Sequence, residues 1–113
     1  MAMTQINFDR DQCPAIRRFN TESSATKAVQ VNIPYWARRV TVITESENGC
    51  RVAFFSDSDD IHSDFVKLHG RGSAEFEWHD GVGTANGIEA LYVANKASYS
   101  ASHPITVIVE GSK

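Results

Sequence analysis

The sequence lacks the long apolar runs and the excess of positive charge that would place it in two large classes of protein. None of its apolar segments approaches the ~20 residues that a membrane-spanning helix needs, so we expect no membrane contact. Its 113 residues carry a net charge of −3, and the eleven Lys and Arg are scattered. Nucleic acid is therefore disfavoured as a partner, because it selects basic surfaces.

Cysteine is also scarce. The two cysteines, Cys13 and Cys50, lie far apart and form no C-x-x-C pair, so they give no zinc or redox signal. The first 13 residues are polar and contain no apolar segment of the signal-peptide kind, which indicates synthesis and folding in a cytoplasm. In that reducing compartment we expect both thiols to be free.

A helical period of apolar residues is missing, and alternation with a period of two takes its place. The segment KAVQVNI, residues 27–33, alternates clearly between apolar and polar side chains. The dipeptide Asn48-Gly49 is typical of a tight hairpin, so the flanking strands 38–45 and 50–55 are predicted to pair. The other predicted strands are DFVKL, SAEFEW, IEALYVAN and ITVIVEG.

These patterns predict an all-β fold made of a single antiparallel β-sandwich, jelly-roll or immunoglobulin-like, with about seven to nine short strands. A chain of 113 residues is long enough for one domain and too short for two. We divide it into a polar N-terminal arm or irregular segment, residues 1–26, and a sandwich domain, residues 27–113.

The stretch FFSDSDDIHSDF, residues 54–65, contains four aspartates, three serines and a histidine, which are residue types found in cation-binding and catalytic sites. It does not match a calcium-binding EF-hand loop, since His62 stands where glycine is required and Leu68 where glutamate is required. Residues rich in Asp and Ser often bond their own backbone in turns, so we expect a solvated acidic loop over 56–64. A weak cation site is the alternative, with the candidates Asp57, Asp59 and Asp60.

Catalytic signatures are sparse. No two of the four histidines stand at the short spacing of a zinc-ligand pair, and no G-x-S-x-G nucleophile motif occurs. Glu75 and Glu77 could be a carboxylate pair, but on a strand they alternate with Phe76 and Trp78 and are typical of a solvent face. The sequence therefore predicts no catalytic residue, no cofactor and no enzyme.

Several apolar residues fall at outward-facing positions of predicted strands, where polar residues are normal. If these residues share one sheet, they form an apolar patch that would contact a partner or a second subunit; if they do not, isolated exposure needs no explanation. Two aromatic residues after Pro34 either cap the core or contact a partner. The interface candidates are Ile43, Phe55, Tyr92, Ile108, Tyr35 and Trp36.

Two segments carry a resemblance to a known class of protein. VQVNIPYWARRVTVITESENGCRVAFF contains a strand, a proline-broken corner and an Asn-Gly turn, and EALYVANKASYSASHPITVIVEG closes the chain with L-Y-V-x-N and a terminal strand. This layout, over about residues 27–111, resembles the small β-sandwich virion proteins of tailed bacteriophages, such as capsid decoration (cement) proteins and head-fibre modules.

The resemblance implies a non-enzymatic structural protein of the virion, most simply a decoration protein that stabilises the capsid by bridging its subunits. Its partners would be the major capsid protein or another virion protein, and it would form a homo-oligomer, with a trimer favoured. Residues 1–26 would then act as a contact arm. The alternative is a carbohydrate-binding or receptor-binding sandwich, free or at a virion tip, that uses Tyr35, Trp36 and Tyr99.

Overall fold

The computed structural model describes residues 3–8, 14–24, 26–34, 36–45, 47–57, 60–61, 63–77, 90–96 and 101–111. These residues contain no helix, and so no helix that could cross a membrane. Their strands are β1 (Gln5–Ile6), β2 (Ala15–Asn20), β3 (Ala28–Asn32), β4 (Ala37–Thr44), β5 (Cys50–Ala53), β6 (Ser56–Asp57), β7 (Asp60–Ile61), β8 (Val66–Leu68), β9 (Ser73–Glu77), β10 (Ala90–Asn95) and β11 (Pro104–Gly111).

The strands form two main sheets. The five-stranded sheet has the order β1-β3-β10-β5-β8, and the four-stranded sheet has the order β2-β11-β4-β9. Neighbouring strands are antiparallel except β1 and β3, which run parallel. Strands β6 and β7 form a separate two-stranded ribbon. The predicted all-β sandwich is confirmed, and its two main sheets hold as many strands as the upper end of the predicted range.

The core lies between the two sheets because each strand alternates apolar and polar side chains, so one face of each sheet is apolar. The inner faces meet in one hydrophobic cluster. Its largest fully buried members on the five-stranded sheet are Val29, Val31, Val52, Leu91 and Val93. Those on the four-stranded sheet are Val40, Val42, Ile105, Val107 and Val109.

The predicted hairpin at Asn48-Gly49 is wrong. Strands β4 and β5 both exist, but they lie in different sheets, and residues 45–49 cross from one sheet to the other. The positive backbone φ that a tight hairpin turn requires is absent from both residues, since Arg71 is the non-glycine residue with positive φ in the described chain. Gly49 is needed for another reason: a Cβ atom there would overlap the backbone carbonyl oxygen of Leu68.

Residues 1–26, predicted as an arm or irregular segment, contribute strands β1 and β2 to the two sheets. Strand β2 pairs along its whole length with β11, and Ala15 and Phe19 are buried in the core. Arg17 occupies the inward-facing position between them and breaks the apolar alternation. Its Nη1 atom donates a hydrogen bond to the carbonyl oxygen of Asn7 at 2.6 Å and so ties the edges of the two sheets together. An inward-pointing charge of this kind is common on edge strands.

A buried polar cluster closes one end of the sandwich. The side chain of Asn95 is fully buried, and its Nδ2 donates to the carbonyl oxygens of Glu22 at 2.9 Å and Ala101 at 3.1 Å. Its Oδ1 accepts from the Thr21 hydroxyl at 2.6 Å. Thr21 also accepts from the backbone N–H of His103 at 3.2 Å. These bonds satisfy backbone groups of two connecting segments that the sheets do not pair.

Candidate functional site: an exposed aromatic edge

The acidic stretch contains a two-stranded ribbon. Strands β6 and β7 pair between Ser56 and Ile61, and Ile61 is buried against the outer face of the five-stranded sheet. That face is lined there by small residues, Ala28, Ala53 and Ala94. A single apolar anchor therefore fixes a segment that the sequence predicted as a solvated loop.

Exposed apolar side chains are concentrated beside this ribbon. Phe55 is 62% exposed, and Phe65 and Val66 are each 41% exposed. They flank the ribbon on both sides, at the end of β5 and the start of β8, which is the edge strand of its sheet. We call these three residues, together with the groove that Phe65 and Val66 line, the aromatic edge.

The groove of the aromatic edge has a volume of about 360 Å³. Four of its lining residues are apolar and two are polar. The lining residues are Val52, Phe54, Ser63, Asp64, Phe65 and Val66.

Ring contacts hold this edge in place. The rings of Phe54 and Phe76 meet edge to face, with centroids 5.2 Å apart, and so form a contact between the two sheets. The guanidinium carbon of Arg51 lies 5.4 Å from the centroid of the Phe65 ring, within the range of a cation–π contact. Phe65 is thus positioned by its neighbours although it is exposed to solvent.

The weak cation candidates do not come together as a site in the described residues. Asp60 uses its Oδ1 to accept a hydrogen bond from the backbone N–H of Ile61 at 2.7 Å, as Asp commonly does in turns. Asp59 and the side chain of Asp57 lie outside the described part of the chain. Within that part, no three His, Cys, Asp or Glu side chains are grouped closely enough to hold a metal ion.

The predicted outward-facing residues do not form one patch, because they belong to different sheets. Ile43 and Ile108 lie on the four-stranded sheet, where both are half-buried. Tyr92 lies on the five-stranded sheet and packs against the small cluster under the ribbon. Phe55 follows β5 and is exposed, as expected. Whether any of them contacts a partner stays a prediction.

The aromatic residues after Pro34 are corrected in part. Trp36 is 3% exposed and belongs to the core, so it cannot provide a surface for stacking against a sugar. Tyr35 and Tyr99 lie outside the described residues. The carbohydrate-binding alternative therefore loses the indole ring on which it chiefly relied.

Neither the carboxylate pair nor the cysteines form a reactive group in the described structure. Glu75 and Glu77 are exposed on β9, and Glu77 lies 3.8 Å from the guanidinium of Arg39. Cys50 is a free, fully buried thiol, and burial raises its pKa to about 12, which suppresses the reactive thiolate. Cys13 and Trp78 lie outside the described residues.

Sequence reasoning did not single out Phe65 and Val66. It predicted their strand, but their exposure depends on β8 being an edge strand, which the pattern of one segment does not reveal. A signal was present in the flanking residues. Between Phe54 and Val66 the chain carries four aspartates and no Lys or Arg, so these apolar residues border a strongly acidic segment.

No family model and no curated protein sequence matches the chain. Among solved structures, it is similar to PliG of Aeromonas hydrophila, a periplasmic lysozyme inhibitor of g-type lysozyme. The TM-score is 0.50 at 8% sequence identity, and the match covers 96% of each chain. At this identity the likeness shows the fold.

The likeness corrects the function that the sequence suggested. Capsid decoration was expected from a resemblance in strand layout, whereas the solved protein that shares the fold along nearly its whole length is an enzyme inhibitor. No matching protein tests the resemblance to virion proteins, the oligomeric state or the virion location, and these stay predictions.

Proposed function

We propose that this protein is a non-enzymatic, protein-binding β-sandwich that inhibits a lysozyme-type enzyme through its aromatic edge. One observation carries the proposal: Phe55, Phe65 and Val66 are exposed on a folded scaffold, and Phe65 and Val66 line a groove. The similarity in fold to an inhibitor of g-type lysozyme supports the choice of target.

The aromatic edge has the features of a protein-contact surface. Aromatic residues are enriched at the centres of protein interfaces and often contribute most of the binding free energy. Here Phe65 is held by Arg51, and Phe54 by Phe76, before any partner binds. A surface whose rings are already positioned loses less conformational entropy on binding than a mobile loop does.

The charge of the neighbouring segment suggests how the partner is selected. The segment between Phe54 and Val66 contains four aspartates and no Lys or Arg, so the chain next to these apolar side chains is acidic. Complementary charge on the partner accelerates association and excludes partners of the same sign. We therefore expect the enzyme to present basic residues around an apolar subsite, and we expect its association rate with this protein to fall as salt is added.

Inhibition can be measured as the rate at which a g-type lysozyme clears a suspension of bacterial cell walls. The wild-type protein should inhibit in proportion to its concentration, and Phe55→Ala with Phe65→Ala should weaken inhibition by at least about tenfold, as expected for interface anchors. The matched control is Ile16→Ala, because Ile16 is 59% exposed but lies on β2 in the other sheet.

Two outcomes would contradict the proposal in different ways. Full lysozyme activity in the presence of a large excess of wild-type protein would exclude inhibition of that enzyme. Inhibition that Ile16→Ala weakens as much as the double phenylalanine variant does would place the contact surface elsewhere. Circular dichroism of each variant should match the wild type, since all three side chains are largely exposed.

A further inference from the structure

A second pocket lies at the opposite end of strands β5 and β8 from the aromatic edge, where residues 45–49 and 69–72 connect the two sheets. Its volume is about 270 Å³. Cys50 pairs with Leu68 at this end of the ladder, whereas Val52 pairs with Val66 at the aromatic end. We call it the basic pocket, and it is lined by Glu47, Gly49, Lys67, Leu68, His69, Gly70 and Lys96.

The walls of the basic pocket are fixed by backbone contacts. A Cβ atom on Gly70 would overlap the backbone of Glu47, so the two connections pass each other at a distance that only glycine permits. The backbone N–H of Thr44 donates to the carbonyl oxygen of Gly72 at 3.0 Å. The backbone N–H of Gly72 donates to the carbonyl oxygen of His69, also at 3.0 Å. The pocket therefore has a defined shape in the free protein.

Two lysines, Lys67 and Lys96, and one carboxylate, that of Glu47, are among the lining residues, although the chain as a whole is acidic. Lys67 stands directly across from Arg51 in the β5–β8 ladder. Like charges at directly opposed positions of a β ladder destabilise it. Lys96 also lines the pocket, and the carboxylate of Glu47 is engaged by Arg71 at 3.2 Å. The arrangement has a physical reason if an anion occupies the pocket.

We infer that the basic pocket binds a phosphate group, either free or as part of a small ligand. Lysine ammonium groups are typical phosphate-binding donors, and two lysines are among the residues that line this pocket. A dianion matches their charge better than a singly charged carboxylate does. The site is separate from the aromatic edge, so this inference does not depend on the proposed inhibition.

Binding can be followed by NMR, adding inorganic phosphate to the full chain at constant ionic strength. The amide resonances of Lys67, Leu68 and Gly70 should shift along saturating curves, and acetate should bind at least about tenfold more weakly, because it carries half the charge. The double variant Lys67→Gln with Lys96→Gln should lose at least about tenfold in phosphate affinity. The matched control is Lys27→Gln, an exposed lysine just before β3 that does not line the pocket.

A thermal measurement gives an independent readout. Without phosphate, Lys67→Gln should raise the melting temperature, because it removes the like-charge pair with Arg51. Phosphate should raise the melting temperature of the wild type, by preferential binding to the folded state, and leave that of the double variant unchanged. Equal effects of phosphate and acetate, loss of phosphate binding in Lys27→Gln, or linear, non-saturating shifts over the whole surface would each overturn the inference.

Discussion

The two ends of strands β5 and β8 are built in different ways. At the aromatic edge, side chains determine the structure: Phe54 packs against Phe76, and Phe65 lies under Arg51. At the end that holds the basic pocket, backbone groups determine it: connections touch at Gly70, and Asn95 bonds the carbonyls of neighbouring segments. One end exposes rings, and the other exposes charges around a fixed backbone.

The comparison teaches which parts of the molecule can change without loss of the fold. Exposed side chains can be replaced at little cost, because their removal leaves no cavity and no unsatisfied polar group. A backbone contact or a buried amide cannot be replaced in this way. The aromatic edge is therefore free to vary with its partner, whereas the other end should be sensitive to single substitutions.

The strongest test of this difference is Asn95→Ala. The substitution leaves the Thr21 hydroxyl and two partly buried carbonyl oxygens without their amide partner, so we expect the free energy of unfolding to fall by about 3 kcal/mol. The matched variant Thr21→Val replaces one hydroxyl group with a methyl group of similar size, and it should lower the free energy of unfolding by about 1–2 kcal/mol. Urea denaturation measures both, and equal losses would show that the amide does not organise this end.

Gly70→Ala should have a slightly smaller effect. The added methyl group would overlap the backbone of Glu47. To remove that overlap, either the segment around Gly70 or the segment around Glu47 has to move. Overpacking of this kind costs about 1–3 kcal/mol, and we expect the upper end of that range. Ser73→Ala, at an exposed position on β9, is the control and should change the stability by less than about 0.5 kcal/mol. A Gly70→Ala protein as stable as the control would mean that the connections move freely.

Phe76→Ala tests the aromatic end. Phe76 is half-buried and contacts the core, so its removal should cost about 2 kcal/mol, less than the 3–5 kcal/mol typical of a fully buried phenylalanine. Phe55→Ala, at an exposed ring in the same region, should change the free energy of unfolding by less than about 0.5 kcal/mol. A large loss with Phe55→Ala would show that the exposed ring stabilises the fold, and would weaken its assignment to partner binding.

The smallest effect on stability is expected from a decrease in pH, and it should originate at the end of the sandwich that holds the polar cluster. Burial lowers the pKa of His103 from its ordinary value of 6.5, although a backbone hydrogen bond at Ala101 opposes the shift. A lowered pKa in the folded state means that stability is complete above pH 6.5 and decreases as the pH falls through the lowered pKa. Denaturation midpoints between pH 7.5 and about 5 measure the slope.

The variant His103→Gln tests whether this pH dependence comes from His103. His103→Gln should reduce the slope, since it removes the group that must be protonated in the unfolded chain. A slope that remains in His103→Gln would assign the acid sensitivity to other groups.

Individual strands could be predicted from the sequence because a strand is a local property. Alternation in KAVQVNI and ITVIVEG identified β3 and β11, and it identified the buried valines on each, since side chains on a strand alternate between two faces. Pairing partners are not local. Strands from β1 to β5 alternate between the two sheets, so Asn48-Gly49 connects sheets although its sequence is typical of a hairpin.

The sequence by itself determined that this protein is an all-β sandwich with valine-rich inner faces. Short strands with one apolar face bury that face when two sheets pack together. Only the tertiary structure decided that β8 is an edge strand, and therefore that Phe65 and Val66 are exposed, whereas Trp36 is buried. It also decided that Lys67 faces Arg51 beside the basic pocket. Exposure and charge grouping depend on which strands become neighbours, and that choice is made by the packing of the whole chain.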